Sequence, residues 1–304
     1  MLIHPPQGER KTERKPPWLK VKFPSHQNFF LVSNIVRQHK LSTICQSARC
    51  PNISKCWSEK TATFLILGEM CTRSCKFCAI RKASPLPPDE KEPLGVAEAA
   101  KSLNLRYAVI TSVTRDDLPD GGASHFATTI IAVRKKVTGI RIEALIPDFN
   151  GSLEAIKTVL DSAPDVVSHN LETVEALYSS IGRRRENYWR SLSVLEALKR
   201  GGAVTKSGLM LGLGEEKEEI LQTFSDLRNV SCELLTIGQY LQPGVENVRV
   251  KKYYSPLEFT QLKHIALDFG FLAVESGPLV RSSFNASKMY QNLQKRREET
   301  RCDI

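Results

Sequence analysis

Three closely spaced cysteines constrain this chain more than any other feature of its sequence. They lie in the segment Cys71-Thr-Arg-Ser-Cys75-Lys-Phe-Cys78, shortly after the apolar run at 64–67. A thiolate is a soft ligand that suits zinc or an iron–sulfur cluster. A four-iron cubane needs four ligands, so three cysteines leave one iron open to a small chelating molecule. The segment therefore predicts an open four-iron cluster. The alternative is a zinc knuckle or three unrelated buried cysteines.

A second cysteine triplet precedes the first. Cys45, Cys50 and Cys56 have a C-x4-C-x5-C spacing, and Pro51 disfavours a helix through the middle. A loop must bring these thiols together, to hold either a zinc ion completed by a histidine or a second cluster, and the nearby first triplet favours the cluster. Each triplet has an odd number of cysteines, so its thiols cannot all pair with one another. The N-terminus also lacks the pattern of a secretory signal. We therefore expect metal binding in a reducing cytoplasm instead of disulfides.

Length and charge bound the remaining possibilities. The 304 residues, with 41% apolar and 25% charged, are typical of a globular protein with one α/β barrel or two ordinary domains. No apolar run approaches the roughly 20 residues that cross a bilayer. The net charge of +10 indicates an acidic partner, which could be nucleic acid, a membrane surface or a protein. Basic residues near both ends are expected in solvated tails: Lys11, Arg14, Lys15, Lys20, Lys22, Lys295, Arg296 and Arg297.

The order of patterns along the chain predicts its fold. Residues 16–20 indicate an extended arm that Trp18 and Leu19 could dock, and residues 28–41 indicate an amphipathic helix. Strand and helix patterns then alternate, which predicts parallel βαβ units. The strands are expected at 64–67, 107–113, 140–145, 165–169, 207–211, 233–237 and 271–274. The helices are expected at 96–103, 124–136, 153–160, 173–178, 190–199, 216–227 and 256–269.

Six or seven such units favour a complete or partial barrel, whose active site lies at the carboxyl ends of the strands. Polar residues gather at these ends, in the segments 111–122 and 168–173. Arg141 and Glu143 share one face of the third strand, where they either line the barrel mouth or form an internal ion pair.

Two glycines follow the fifth predicted strand. Gly212 and Gly214 resemble half of a dinucleotide-binding fingerprint, but Lys217 stands where a third glycine is needed, so the match fails. These glycines either let the backbone approach a ligand closely or form a tight turn.

Taken together, seven segments in order resemble the lipoyl synthase family of the radical S-adenosylmethionine superfamily. They are 45–57, 71–78, 111–122, 169–173, 205–215, 236–243 and 277–283. The resemblance implies an α/β fold, a partial (β/α)6 TIM-type barrel with N- and C-terminal extensions that carry an auxiliary cluster. The implied division is 1–60 for the N-terminal extension, 61–275 for the barrel and 276–304 for the C-terminal extension.

The resemblance also implies the cofactors, which are S-adenosylmethionine and two [4Fe-4S] clusters. One cluster binds S-adenosylmethionine and takes Cys71, Cys75 and Cys78 as ligands. The auxiliary cluster takes the other triplet and a serine of an Arg-Ser-Ser motif, for which Ser283 is preferred over Ser282. The expected contacts of S-adenosylmethionine are Asn170, Arg190 and Lys206.

The implied activity is that of a sulfurtransferase. In this family a 5′-deoxyadenosyl radical opens C–H bonds at carbons 6 and 8 of an octanoyl-lysine, and the auxiliary cluster supplies the sulfur. The implied partners are octanoylated lipoyl carrier domains, namely 2-oxoacid dehydrogenase acyltransferase subunits and the glycine cleavage H protein. An electron donor such as flavodoxin or ferredoxin is also implied, with no membrane and no nucleic acid.

Two departures from the family pattern and two competing functions stand beside this interpretation. Arg183, Arg184 and Arg185 replace the usual Arg-Pro-Gly, and Phe284 replaces the usual tyrosine after the Arg-Ser-Ser motif. The first competing function is another radical S-adenosylmethionine enzyme, either one that inserts sulfur into a free small molecule or a methylthiotransferase. The second is a zinc-stabilised nucleic-acid-binding protein, which the positive charge and the cysteines would suit.

Overall fold

The computed structural model describes residues 14–21 and 26–302, with side chains as far as Glu299. Lys11 and Lys22 of the predicted basic arm lie outside these residues. The prediction that the arm is extended is wrong for Pro17–Leu19, which forms one 3-10 turn. Proline at the first position has its φ preset for such a turn. Leu19 is buried and docks the arm, as expected.

Beyond this turn, the described residues of the N-terminal region form three α-helices and one short strand. Its elements are α1 (Gln27–Gln38), β1 (Ser42–Thr43), α2 (Ile44–Ser47) and α3 (Ile53–Ser58). The predicted amphipathic helix is confirmed as α1, which buries Val32, Ile35 and Val36. Cys45 lies in α2, Cys56 lies in α3, and the loop between them carries Cys50, so the three thiols are not on one helix.

The rest of the chain alternates between strands and helices, as predicted. In chain order the elements are β2 (Thr63–Ile66), β3 (Met70–Cys71), β4 (Arg81–Lys82), α4 (Glu92–Ser102), β5 (Tyr107–Ser112), α5 (Ala123–Lys136), β6 (Arg141–Leu145), α6 (Leu153–Asp161), β7 (Val166–Ser168), α7 (Glu186–Arg200), β8 (Thr205–Leu211), α8 (Lys217–Asn229), β9 (Leu234–Gln239), α9 (Pro256–Asp268), β10 (Ala273–Gly277) and α10 (Ala286–Cys302).

The main sheet has the order β1-β2-β5-β6-β7-β8-β9-β10. All of its pairs are parallel except β1 with β2. Each parallel strand lies beside the next one in the chain, and one of the helices α4 to α9 connects each pair. This arrangement confirms the predicted partial (β/α)6 barrel. Among the described helices, none is both long enough and apolar enough to cross a bilayer.

One predicted helix is wrong, and the helices α2, α3 and α10 were not predicted. Residues 173–178 contain only the 3-10 turn Glu175–Leu177. The chain before this turn runs beside β8, where Glu172 exchanges backbone hydrogen bonds with Gly208 and Met210 (3.0 and 2.7 Å), so no α-helix can start there. The two short helices α2 and α3 lie in the segment that was predicted as a loop. The longest unpredicted helix is α10, whose sequence is mostly polar and charged.

Helix α10 packs against the amino ends of the barrel strands. Met289 and Leu293 are buried with residues at or just before the starts of β7, β8, β9 and β10: Val166, Val204, Leu234 and Ala273. Arg297 pairs with Glu233 (2.5 Å), so the expectation of a solvated C-terminal tail is wrong for this arginine. Helix α10 therefore lies at the end of the barrel opposite the carboxyl ends of the strands.

A buried ion pair lies in the barrel interior. Glu143 binds the Lys206 ammonium (2.8 Å), and both side chains are 1% exposed. Arg141 instead points outward and pairs with Asp165 (2.8 Å). The internal ion pair between Arg141 and Glu143 that was weighed from the sequence is therefore wrong, because Glu143 pairs with Lys206 of β8.

Candidate active site

Both cysteine triplets line one cavity at the carboxyl ends of the strands. Its volume is about 770 Å³, within the usual range for small-molecule sites. Polar residues of both predicted strand-end segments line it, and so do both serines of the Arg-Ser-Ser motif. Residues from the N-terminal region, the barrel and the segment after β10 thus meet at a single site.

Two of the three thiols in the loop 71–78 accept hydrogen bonds from nearby backbone N–H groups. The N–H of Arg73 donates to the Cys71 sulfur and the N–H of Ile80 donates to the Cys78 sulfur, each at 3.4 Å. Burial raises the pKa of Cys78 to about 12, and the neighbouring thiol of Cys75 adds to this effect. A thiol in this environment becomes a metal-binding thiolate only when a bound cation compensates its charge.

The loop after β5 holds the loop 71–78 in place. Thr72 donates its backbone N–H (3.1 Å) and its hydroxyl (3.0 Å) to the carbonyl oxygen of Thr114. The guanidinium of Arg73 binds both carboxylate oxygens of Asp116 at 2.7 and 2.8 Å. It also pairs with Asp148 at 2.7 Å. Such bidentate pairs restrict geometry, so the cysteine loop is tied to two strand ends.

Of the three consecutive arginines, only Arg183 lines the cavity. Its Nε lies 3.4 Å from the Cys75 sulfur, and its guanidinium lies 5.3 Å from the centre of the Phe77 ring. Arg185 pairs with Glu175 at 2.9 Å, away from the cavity. The sequence left open which arginine meets the site, and the tertiary structure selects the first.

The segment 45–56, which runs from α2 into α3, forms the opposite part of the cavity. Burial raises the pKa of Cys56 to about 12, and the charges of Cys50 and Cys45 add to this effect, so the three thiols lie within mutual electrostatic range. Burial also raises the pKa of Cys45, which the indole N–H of Trp57 opposes. That buried N–H has no partner in full hydrogen-bond geometry among the described residues. Burial raises the pKa of Cys50 as well, and the positive charge of Arg281 opposes this rise.

The segment after β10 packs directly on the segment 45–56. The Asn52 side-chain amide donates to the carbonyl oxygen of Leu279 (2.5 Å). The Lys55 ammonium lies 4.9 Å from the centre of the Phe284 ring, so the aromatic ring retains a packing role without a tyrosine hydroxyl. These contacts bring the Arg-Ser-Ser motif to the second cysteine triplet.

The two serines of the motif differ in their hydrogen bonds. The Ser282 hydroxyl accepts a bond from the Asn170 amide nitrogen (2.7 Å). Ser283 lines the cavity, and its hydroxyl has no hydrogen bond to a described residue. The amide oxygen of Asn170 is buried and has no hydrogen-bond partner within the described part of the chain. Of the two cavity-lining serines, Ser283 is therefore the one whose hydroxyl is not bound by Asn170.

Thiolates are soft donors that suit iron–sulfur clusters. Among the described residues, no three His, Cys, Asp or Glu side chains are placed to hold one metal ion. Each thiolate of a cubane binds a different iron, so its ligands stand further apart than those of one zinc ion. None of the seven cysteines with described side chains forms a disulfide. The two triplets around one cavity therefore fit two cubanes.

Comparisons with known proteins decide the family. A model of the Radical SAM superfamily matches residues 65–227, and a model of the N-terminal domain of lipoyl synthase matches residues 4–50. The lipoyl synthase of Caldanaerobacter subterraneus is 50% identical over 277 residues, which is 90% of this chain and 96% of that protein. The chain belongs to the lipoyl synthase family. The lipoyl synthase of Rubrobacter xylanophilus is 49% identical, over 95% of this chain and 90% of that protein.

Solved structures support the fold of this lipoyl synthase family member. The hydrogenase maturase HydG from Carboxydothermus hydrogenoformans matches with a TM-score of 0.57 and 14% identity, over 87% of this chain and 68% of that chain. Coproporphyrinogen III oxidase (HemN) from Escherichia coli matches with a TM-score of 0.51 and 12% identity, over 74% and 57%. At these identities the likeness shows the fold alone, and it agrees with the partial barrel.

Two of the three predicted contacts of S-adenosylmethionine do not line the cavity of this family member. Lys206 is held inside the barrel by Glu143. Arg190 lies 3.7 Å from Asp148 and 3.4 Å from the Asn150 side chain, outside the cavity. The contact of these two residues with the cofactor stays a prediction. Asn170 does line the cavity, and its contact with the cofactor stays a prediction.

The glycine segment after β8 forms a tight turn. The Glu215 carboxylate accepts the backbone N–H groups of Gly212, Leu213 and Gly214 at 2.6, 2.9 and 3.1 Å. These N–H groups are therefore not available to a phosphate. Gly212 has a φ of +104°, which glycine adopts without strain.

We expect Gly238→Ala to displace the Arg-Ser-Ser motif. A Cβ at Gly238 would overlap the backbone carbonyl oxygen of Val280. The segment would have to shift, and Arg281 would lose its bond to the Gln239 carbonyl (3.1 Å). We expect a loss of about 1–3 kcal/mol in unfolding free energy, as for other overpacked sites, and a lower iron content.

The control for this substitution is Gly95→Ala. Gly95 lies in α4, where the nearest atom to an added Cβ is the end of the Leu41 side chain at 3.3 Å. Alanine is favoured over glycine inside a helix, so this variant should keep its stability. Equal unfolding temperatures and iron contents for the two variants would contradict the expectation.

Proposed function

We propose that this chain catalyses the insertion of two sulfur atoms, at carbons 6 and 8, into a protein-bound octanoyl-lysine to give the lipoyl group. The observation that carries the proposal is that both cysteine triplets and Ser283 line one cavity, in a chain of the lipoyl synthase family. A single site can then generate a substrate radical and present it with sulfur.

We assign each triplet to one [4Fe-4S] cluster. Cys71, Cys75 and Cys78 would hold the cluster that binds S-adenosylmethionine, and Cys45, Cys50 and Cys56 would hold the auxiliary cluster together with Ser283. When bound, these groups supply a 5′-deoxyadenosyl radical and a source of sulfide. An unactivated C–H bond has no acidic proton, so acid–base chemistry alone cannot open it.

The residues that line the cavity would bind the cofactors, orient the acyl chain and exclude water from the site. Arg183 places a positive charge beside Cys75, and Arg281 does the same for Cys50. The unpartnered oxygen of Asn170 offers an acceptor to the cofactor. Apolar walls suit an eight-carbon chain, and they include Leu19, Ile44, Ile53, Leu145, Ile146 and Leu241.

We also propose the division 1–60, 61–275 and 276–304, in which the two extensions hold the auxiliary cluster between them. Lys15 and Arg49 are exposed and line the cavity, so they suit an acidic lipoyl carrier domain. The proposed carriers are acyltransferase subunits and the H protein, with flavodoxin or ferredoxin as electron donor. A cytoplasmic location, without nucleic acid, is part of the same proposal.

The test uses protein purified without oxygen, an octanoyl-lysyl peptide, S-adenosylmethionine and a strong reductant. We expect about eight irons per chain, counting four per cubane, and a peptide whose mass shows a gain of two sulfurs. A colourless zinc protein that leaves the peptide unchanged would instead favour the nucleic-acid-binding alternative. Intact clusters with an unchanged peptide would favour another radical S-adenosylmethionine enzyme.

A further inference from the structure

The turn between β2 and the loop 71–78 is strained. Leu67 has a φ of +68°, in the left-handed region that residues with a side chain rarely adopt, and Gly68 follows with a φ of +88°. Leu67 is buried, so solvent does not stabilise this conformation. A residue in such a conformation persists only where its surroundings enforce it.

A carboxylate holds the N–H side of Leu67. Glu92 Oε2 accepts the Leu67 N–H at 2.8 Å, and the same oxygen lies 2.7 Å from His125 Nε2. Glu92 is the first residue of α4, where the helix dipole favours a negative charge. The Glu92 and His125 side chains are 13% and 12% exposed, so water competes little for these bonds.

A guanidinium holds the C=O side of Leu67. Arg115 Nη1 donates to the Leu67 carbonyl oxygen at 3.1 Å, and the Arg115 side chain is 1% exposed. Asp117 fixes the guanidinium through bonds of 2.8 and 2.9 Å. Gly122 packs against the Leu67 side chain so closely that an added Cβ would overlap Leu67 Cδ1. The turn is thus enforced from three sides.

We propose that Glu92 and Arg115 are positioning residues for the cluster that the loop 71–78 would hold, an inference that rests on the proposed function. Neither residue lines the cavity. Both act through Leu67, because its left-handed turn sets the direction in which the chain leaves β2 toward Cys71. Without the two bonds, Leu67 relaxes to a negative φ and Cys71 moves relative to the other two thiols.

The experiment compares Glu92→Ala with Glu92→Gln in the full chain. The amide oxygen of glutamine still accepts the Leu67 N–H, whereas alanine leaves it unpaired. The control is Glu98→Ala, because Glu98 lies on the same helix and forms only a surface pair with Lys136. Iron content, electron paramagnetic resonance with and without S-adenosylmethionine, and hydrogen exchange of the Leu67 amide are measured. Only the cluster with an open iron changes its spectrum when S-adenosylmethionine is added.

In Glu92→Ala, we expect the intensity of the signal that responds to S-adenosylmethionine to fall about tenfold. The hydrogen-exchange rate of the Leu67 amide should rise about tenfold. The signal of the auxiliary cluster should stay unchanged. Glu92→Gln should recover most of the responsive signal, and Glu98→Ala should match the unsubstituted protein.

A responsive signal of normal size in Glu92→Ala overturns the inference, as does an equal loss from both clusters. If Glu92→Ala does not fold, Arg115→Lys replaces it, because lysine keeps the charge but cannot bind Leu67 and both Asp117 oxygens together. A normal responsive signal in that variant also overturns the inference. An unsubstituted protein without any responsive signal would instead contradict the proposed function.

Discussion

Cys75→Ala is expected to abolish both the cleavage of S-adenosylmethionine and the insertion of sulfur. Cys75 is one of three thiols in the loop 71–78, and Arg183 lies beside its sulfur. A cubane with only two protein ligands is not retained, so no radical forms. We expect both rates to fall at least about a thousandfold, measured as 5′-deoxyadenosine and as thiolated peptide.

Cys50→Ala provides the matched comparison, because it removes a thiol from the other triplet. This variant should still cleave S-adenosylmethionine but should insert no sulfur, since only the auxiliary cluster is lost. Cys232→Ala is the control, because Cys232 is buried outside the cavity and should leave both rates intact. The same losses in Cys75→Ala and Cys50→Ala would contradict separate roles for the two triplets.

Ser283→Cys is expected to retain the auxiliary cluster while slowing sulfur insertion by at least about tenfold. A hydroxyl is a harder ligand than a thiolate and leaves iron more readily, so the iron that it holds is the one most easily lost when sulfur is removed. A fourth thiolate would keep that iron in place. Iron content and the rate of peptide thiolation, measured together, check this expectation.

Ser282→Ala is the control for Ser283→Cys. Its hydroxyl accepts a bond from Asn170, so its loss should affect Asn170 and the binding of S-adenosylmethionine more than the auxiliary cluster. Unchanged thiolation in Ser283→Cys would contradict the assigned ligand. A loss of auxiliary iron in Ser282→Ala, with none in Ser283→Ala, would transfer the ligand role to Ser282.

The cations near the site show the limits of sequence reasoning. Lys206 and Arg190 were candidates for binding a cofactor because of their positions in the sequence and the family resemblance. The Lys206 ammonium, however, is buried against Glu143, which lies 63 residues away in the chain. Arg183 reaches Cys75 across 108 residues. The local sequence pattern carries no information about such partners, because they come together only when the barrel folds.

The helix α10 was missed for a different reason. Few of its residues are apolar, and its burial depends mainly on Met289 and Leu293. A pattern with so few apolar positions does not distinguish a helix from a solvated tail. The barrel strands and most of their helices were predicted because each is an apolar run or an amphipathic stretch of ordinary length.

The sequence by itself determined the fold class, through alternating periods of strand and helix, and it predicted thiolate ligands from six cysteines in two spacings. Only the tertiary structure decided that both triplets share one cavity, that Asn52 meets Leu279 across 227 residues, and that Asn170 binds Ser282 and leaves the Ser283 hydroxyl available. The physical reason is that periodicity arises from contacts between residues a few positions apart. The donor set of this site depends instead on contacts between distant segments, which form when the extensions pack on the barrel.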